Sequence, residues 1–238
     1  MKKDHFLFFT QNIYSGTLVL NKSEKHHAVS VLRVSDGDPI RVTDGKGIIY
    51  ECCVNSVEKD QLTCTILEKE TISRTKPEIT VAVGLPDRSE FEEILQTLTA
   101  LGVRKILPLI TENSRKPWWD KWQKYKNRFE EKMVVSMKQC LYPYMPNLEN
   151  PVTSTGIANY NSQLILIADQ LGEPLRNLEI NGTDKVLCLI GPPGGFTHNE
   201  QDFFSVQGAV KVKLASNRLR TELAAITFCS QIAAFCDM

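Results

Sequence analysis

No apolar run in the 238 residues approaches the roughly 18 needed to cross a bilayer, so no membrane partner is expected. The Phe6-Leu7-Phe8-Phe9 stretch behind Met1-Lys2-Lys3 is too brief for a secretory leader, and Gln11-Asn12 ends it. The mature chain is therefore expected to begin at or near Met1, in the cytoplasm. Net charge is also missing. Twenty-eight basic residues offset 28 acidic ones, so overall charge gives no support to a nucleic-acid partner. Histidine is scarce, at four, and the seven cysteines show no CxxC spacing, so no metal site is expected. Most cysteines lie in apolar stretches such as Leu187-Cys188-Leu189 and read as small hydrophobes of a reducing compartment. The Walker A and G-x-G-x-x-G patterns are absent, which removes two common nucleotide loops. Thirteen Gly and 11 Pro are ordinary for a globular chain and exclude collagenous or low-complexity readings.

What is present is local. Ten basic residues face four acidic ones between Arg104 and Lys138, and Lys211 to Arg220 holds four basic residues and no acid. A neutral protein with such faces can bind phosphate locally, although a solvated helix face is the commoner meaning of a charge run. The chain divides near Arg74-Thr75-Lys76-Pro77. Before it, five short segments rich in β-branched and aromatic residues read as strands: Phe6–Thr10, Thr17–Leu20, Pro39–Thr43, Gly47–Val57 and Leu62–Leu67. Turn signals at Ser35-Asp36-Gly37-Asp38 and Asp44-Gly45-Lys46-Gly47 separate them, and a helix is expected over Ser23–Leu32. This pattern suggests a small barrel, residues 1–73.

After Pro77 the period changes. Ile79 to Leu85 is an apolar strand, followed by Ser89-x-x-Glu92 as a capping box and a helix through Leu101 that Gly102 closes. Lys105–Ile110 is another strand. Trp118, Trp122, Tyr125, Phe129, Met133, Met137 and Cys140 form a helical stripe, which at this spacing is core rather than a cofactor box. Strands are expected at Gln163–Ala168, Lys185–Ile190 and Ala209–Leu214, and a last helix over Thr221–Phe235. Alternation of this kind means an α/β domain, residues 76–238, with a mostly parallel sheet covered on both faces.

Ligands of such sheets bind beyond the carboxyl ends of strands. Behind the 185–190 strand comes Gly191-Pro192-Pro193-Gly194-Gly195-Phe196, then Thr197-x-x-Glu200 as a second capping box. Three Gly and two Pro make a stiff loop without bulk, which lets a ligand approach the backbone. Alone, it serves a strand-to-helix turn equally well. Behind the 209–214 strand comes Ala215-Ser216-Asn217-Arg218-Leu219-Arg220-Thr221-Glu222, whose arginines suit a phosphate, a carboxylate or a base edge, or else a surface pair with Glu222. Ala168-Asp169-Gln170 follows a third strand. Three such loops can enclose one small ligand.

The combination Ile190-Gly191-Pro192-Pro193-Gly194-Gly195-Phe196-Thr197-x-x-Glu200 with Leu214-Ala215-Ser216-Asn217-Arg218-Leu219-Arg220-Thr221-Glu222-Leu223-Ala224 resembles the two C-terminal motifs of the 16S rRNA uracil-N3 methyltransferases, the RsmE-type branch of the SPOUT superfamily. His26-His27-x-x-x-Val31-Leu32-Arg33 with Gly37-Asp38, Ala100-Leu101-Gly102-Val103, Thr111-Glu112-Asn113-Ser114 and Gln139 with Pro146 follow in family order, so the resemblance covers nearly the whole chain. It implies a PUA-like small β-barrel followed by a SPOUT α/β domain with a deep trefoil knot, an exception to the rule against threaded chains. It also implies S-adenosyl-L-methionine as cofactor, 16S rRNA or the small ribosomal subunit as partner, and a homodimer.

Carried over residue by residue, Ala168, Asp169, Gly191, Pro192, Gly194, Gly195, Phe196, Leu214, Ala215, Asn217, Leu219 and Arg220 would hold the cofactor. Arg218, Arg220 and Glu222 would lie where substrate and methyl group meet, and His27, Arg33, Arg115 and Arg218 would touch RNA. The base that removes the uracil proton is open between a backbone group, Glu222 and water. The chain departs from the family pattern where Pro193 stands for Glu, Ala215 for Gly, Leu223 for Thr, Ala100 for Glu, Asn113 for Arg, and where an Arg after the long helix is replaced near Tyr142. Retained Arg218 to Glu222 favours an enzyme on this or another RNA; the lost charges favour a non-catalytic RNA-binding protein. A Rossmann-type methyltransferase is a poor rival, because Gly84-Leu85-Pro86-Asp87 stands where its glycine loop belongs.

Overall fold

The computed structural model describes residues 6–235 except 116, 161, 179 and 181; His5, Lys116 and Cys236, counted above, lie outside them. The chain forms two compact units, Met1–Arg74 with Val134–Met145, and Thr75–Met133 with Pro146–Met238.

The first unit is a six-stranded sheet built from β1 (Leu7–Phe9), β2 (Ile13–Tyr14), β3 (Thr17–Leu20), β4 (Pro39–Thr43), β5 (Ile48–Val57) and β6 (Leu62–Thr71), in the order β1-β4-β5-β6-β3-β2. β1 runs parallel to β4 and the other pairs are antiparallel. The Thr10 hydroxyl donates to the Val19 carbonyl at 2.6 Å, which ties the end of β1 to β3. Alternate residues of these strands point inward, and Phe8, Leu18, Leu20, Val42, Cys52, Leu62 and Cys64 form one core. α1 (Lys22–His26) starts where the Asn21 side chain accepts from Glu24 N at 3.0 Å, and continues as a wider π turn over His27–Val31. It ends at Arg33, whose φ of 54° cannot propagate a helix.

Residues 134–145, which the sequence leaves with the C-terminal domain, cluster with this first unit. Lys138 forms an ion pair with the buried Glu24. Gly47 N donates to Pro143 O at 2.9 Å and the Tyr144 hydroxyl to Ile72 O at 2.6 Å. Gly47, at φ 106°, lies under the Tyr144 ring, where a Cβ would stand 2.2 Å from Cζ.

The second unit contains β7 (Glu78–Gly84), α2 (Arg88–Ala100), β8 (Lys105–Ile110), α3 (Trp122–Gln139) as far as Met133, β9 (Asn147–Leu148), β10 (Val152–Thr153), β11 (Leu164–Pro174), β12 (Lys185–Ile190), α4 (His198–Val206), β13 (Val210–Lys213) and α5 (Thr221–Phe235). All strand pairs are parallel, in the order β10-β8-β7-β12-β11-β13, with β9 also on β8. The central strands are buried on both faces, which accounts for their continuous apolar runs: Val81, Ala82 and Val83 on β7 and Val186 to Ile190 on β12.

Three local expectations change. The N-cap of α2 is Asp87, not Ser89: Glu90 accepts from Asp87 N at 3.3 Å, and Glu92 turns instead to the cations of α3. The aromatic stripe is core, with Trp118 and Phe129 rings 5.6 and 5.5 Å from Phe91, but Trp118 sits in a 3-10 turn before α3, and Cys140 is exposed beyond its end. β11 does not stop at Ala168. It continues to Pro174 with a register shift between Ala168 and Glu173, because Gly172 lies where a Cβ would stand 2.5 Å from the Lys211 backbone. Among the described residues no helix is long and apolar enough to cross a membrane.

Candidate functional site

A parallel sheet aligns the carboxyl ends of its strands, so the segments leaving them meet at one edge. In the second unit they enclose a cleft of about 740 Å3. Ala168, Asp169 and Gln170 line it from the β11 bulge, and Ile190, Gly191, Pro192, Pro193, Gly195 and Phe196 from the loop after β12. Leu214, Arg218, Leu219, Arg220, Thr221, Glu222 and Ala224 line it from the segment after β13 and the start of α5. Glu90, Arg115 and Gln201 complete the wall.

The glycine-rich loop takes its shape from close backbone approach. A Cβ on Gly84 would stand 2.4 Å from Pro192 Cδ, and one on Gly191 3.0 Å from Gly195 Cα. Gly195 has φ 75°, which a residue with a Cβ rarely adopts. Thr197 caps α4: its side chain accepts from Glu200 N at 3.4 Å, while Glu200 accepts from Thr197 N at 2.9 Å. The other oxygen of buried Glu200 accepts from Glu112 N at 3.2 Å, which fastens the 111–114 turn to the start of α4.

Side chains tie the loops to one another. The Thr221 hydroxyl donates to Gly191 O at 3.1 Å, and Arg218 Nη2 to Pro193 O at 3.0 Å. Gln170 Nε2 donates to Asn217 O at 3.0 Å, joining the bulge to the segment after β13. Thr221 is the buried first residue of α5. Asp169 has a side chain 14% exposed, accepts from Leu171 N at 2.8 Å and lies 3.8 Å from Lys211 Nζ. Lys211 also donates to Gln201 at 2.8 Å. Arg220 is 83% exposed, with Nη1 4.0 Å from the mostly buried Glu222.

The structure thus gathers Ala168, Asp169, Gly191, Pro192, Gly195, Phe196, Leu214, Leu219, Arg220, Arg218, Glu222 and Arg115 around one cleft. Gly194, Ala215 and Asn217 belong to the same loops but not to its wall. His27, 5.9 Å from the Phe8 ring, and exposed Arg33 lie in the first unit. Glu90 and Gln201 were not singled out from the sequence, and Gln170 only as part of the loop after Ala168. A motif signal existed for Glu90 alone, in Asp87-x-x-Glu90. Among the described residues no three His, Cys, Asp or Glu side chains gather as a metal site. The apolar wall suits a flat ring, the carboxylates of Glu90, Asp169 and Glu222 a cation, and the arginines an anion arriving from solvent.

A family model described as an RNA methyltransferase PUA domain matches residues 20–67, and one described as an RNA methyltransferase domain matches residues 74–233. The ribosomal RNA small subunit methyltransferase E of Synechocystis sp. is 27% identical over 232 residues, covering 95% of this chain and 76% of that protein. The protein of the same name from Rickettsia conorii is 26% identical over 216 residues, covering 87% and 85%. A putative methyltransferase of Legionella pneumophila, solved in complex with the bound cofactor SAM, superposes with a TM-score of 0.87 at 26% identity, covering 96% of this chain and 97% of that one. With the domain model spanning residues 74–233, the chain belongs to the RNA methyltransferase domain family.

Proposed function

We propose that this protein methylates N3 of a specific uridine in 16S ribosomal RNA with S-adenosylmethionine as donor. The observation that carries the reading is the cleft walled by three strand-end segments, whose 740 Å3 falls within the roughly 300–1,000 Å3 of small-molecule sites. Its residues fit that cofactor. Ile190, Pro192, Phe196, Leu214 and Leu219 offer apolar surface to an adenine, and Asp169 and Glu222 offer negative charge to a sulfonium and an ammonium group. Gly191, Gly195, Ala168 and Arg220 complete the wall that would hold it, with Gly194, Ala215 and Asn217 shaping the loops behind it. Bound there, the cofactor supplies a methyl group already activated by positive sulfur.

The protein's remaining work is alignment and charge. Holding the base edge in line with the methyl group removes most of the entropic barrier. Arg220, exposed where it lines the cleft, stabilises the anion that develops as N3 loses its proton. Glu222 beside it accepts that proton. Arg218 acts chiefly through the Pro193 carbonyl, and so shapes the site rather than the reacting atoms. Arg115 at the cleft, with His27 and Arg33 of the first unit, serves RNA phosphates. The same reading includes trefoil threading of the C-terminal segment, a cytoplasmic location and a homodimer. Exposed Leu171 and Leu223, close in sequence to cleft-lining residues, support a second copy.

The test is methyl transfer from labelled cofactor to small ribosomal subunits and to naked 16S rRNA, followed by nucleoside analysis. N3 methylation blocks Watson–Crick pairing, so reverse transcription should halt at one uridine. RNA binding without transfer, or a methyl group on another atom, overturns the reading.

A further inference from the structure

We infer that Asn113 is a positioning residue for the glycine-rich loop: its side-chain amide holds residues 194 and 195 in the shape that receives the cofactor. The inference rests on the proposed function. A loop without polar side chains must satisfy its backbone from outside, and glycine makes such a loop entropically costly to order. Here every carbonyl from 191 to 196 has a partner. Pro192 O accepts from Gly195 N at 2.7 Å within the loop. Gly191 O accepts from Thr221, Pro193 O from Arg218, and Phe196 O from Gln201 at 3.4 Å. These three donors line the cleft themselves, so an arriving ligand or RNA competes for them.

Asn113 is different. Its Nδ2 donates to Gly195 O at 3.0 Å and Gly194 O at 3.4 Å, yet it is absent from the cleft wall. It can hold the loop without touching the ligand. Its own turn is fixed, because Thr111 N donates to the Ser114 hydroxyl at 3.0 Å and Glu112 N to the buried Glu200. Only glycine permits the contact at 194, where a Cβ would stand 2.9 Å from Asn113 Cβ. The amide is also the right group: both carbonyls need a donor, and a carboxylate in its place would face two oxygens with none to give.

The test compares wild type with Asn113→Asp and Asn113→Ala for S-adenosylmethionine binding by calorimetry and for methyl transfer to small subunits. Asn113 is exposed, so both variants should melt like wild type. Loss of the tether should weaken cofactor binding about three- to tenfold, with Asp the worse, as one lost hydrogen bond predicts. KM for the cofactor should rise by the same factor, while KM for RNA and kcat stay within about twofold. Gly194→Ala, which pushes against Asn113 from the loop side, should move cofactor binding in the same direction. Unchanged affinity in both Asn113 variants, or an equal fall in kcat, overturns the positioning role. Failure of the wild type to bind the cofactor instead overturns the function on which it rests.

Discussion

Arg128 holds the buried carboxylate of Glu92 through two nitrogens, Nε at 2.9 Å and Nη2 at 3.0 Å. The contact joins α2 to α3, and Lys132 and Arg88 add nitrogens at 3.6 and 3.9 Å. Burial pushes the Glu92 pKa up, but the Arg128 hydrogen bond and the charges of Arg128, Lys132 and Arg88 outweigh it, holding the group below its ordinary 4.5. A depressed carboxylate contributes stability that is present above its unfolded value and lost as pH falls through the folded one. Glu92→Gln should therefore cost about 1–2 kcal/mol at neutral pH, and that deficit should shrink in acid. Thermal melts of both proteins across the acid range read this directly. A deficit independent of pH contradicts it.

Gly84 allows β7 to run beneath Pro192, and no side chain fits between them. Gly84→Ala should displace the loop after β12 and weaken S-adenosylmethionine binding by about tenfold or more, since the obstructing atoms are ring and backbone. Calorimetry on the folded variant checks it; wild-type affinity would mean that the loop can shift without consequence.

The Arg220 side chain is exposed, with Nη1 standing 4.0 Å from the Glu222 carboxylate. Arg220→Ala should leave the melting temperature unchanged and lower methyl transfer by about 100-fold or more, the usual effect of removing one charge-stabilising donor. Retained turnover would remove Arg220 from the reaction.

The cysteines report on packing. Burial pushes the Cys52, Cys64 and Cys229 thiols up to about 12, and Cys188 well above its ordinary value. Thiolate, not thiol, reacts with alkylating agents. Iodoacetamide should label exposed Cys140 in the native protein and spare these four until unfolding. Early labelling of Cys188 or Cys229, read by mass spectrometry, would contradict the packing around β12 and α5.

Features written in adjacent residues were legible in the sequence. The Gly191 to Phe196 loop and the Thr197 box are set by glycine, proline and cap chemistry within ten residues, and the structure contains both. Choices settled at long range were not. Asp87-x-x-Glu90 and Ser89-x-x-Glu92 are both valid caps, and only the cations of α3, some 36 residues away, draw Glu92 elsewhere. The β11 bulge reads as a plain loop because Gly172 matters only against the Lys211 backbone. The clustering of 134–145 with the first unit depends on Glu24 and Ile72, distant partners that no periodicity announces. Gln201 reaches the cleft through that same tertiary geometry.

The central claim is that the cleft between Ala168, the Gly191–Phe196 loop and the Leu214–Ala224 segment holds S-adenosylmethionine. Titration calorimetry of the wild-type protein with that compound and with its demethylated product tests it most directly. The account predicts one site per chain with micromolar affinity, about −8 kcal/mol. No measurable heat of binding for either compound at millimolar concentration would contradict it.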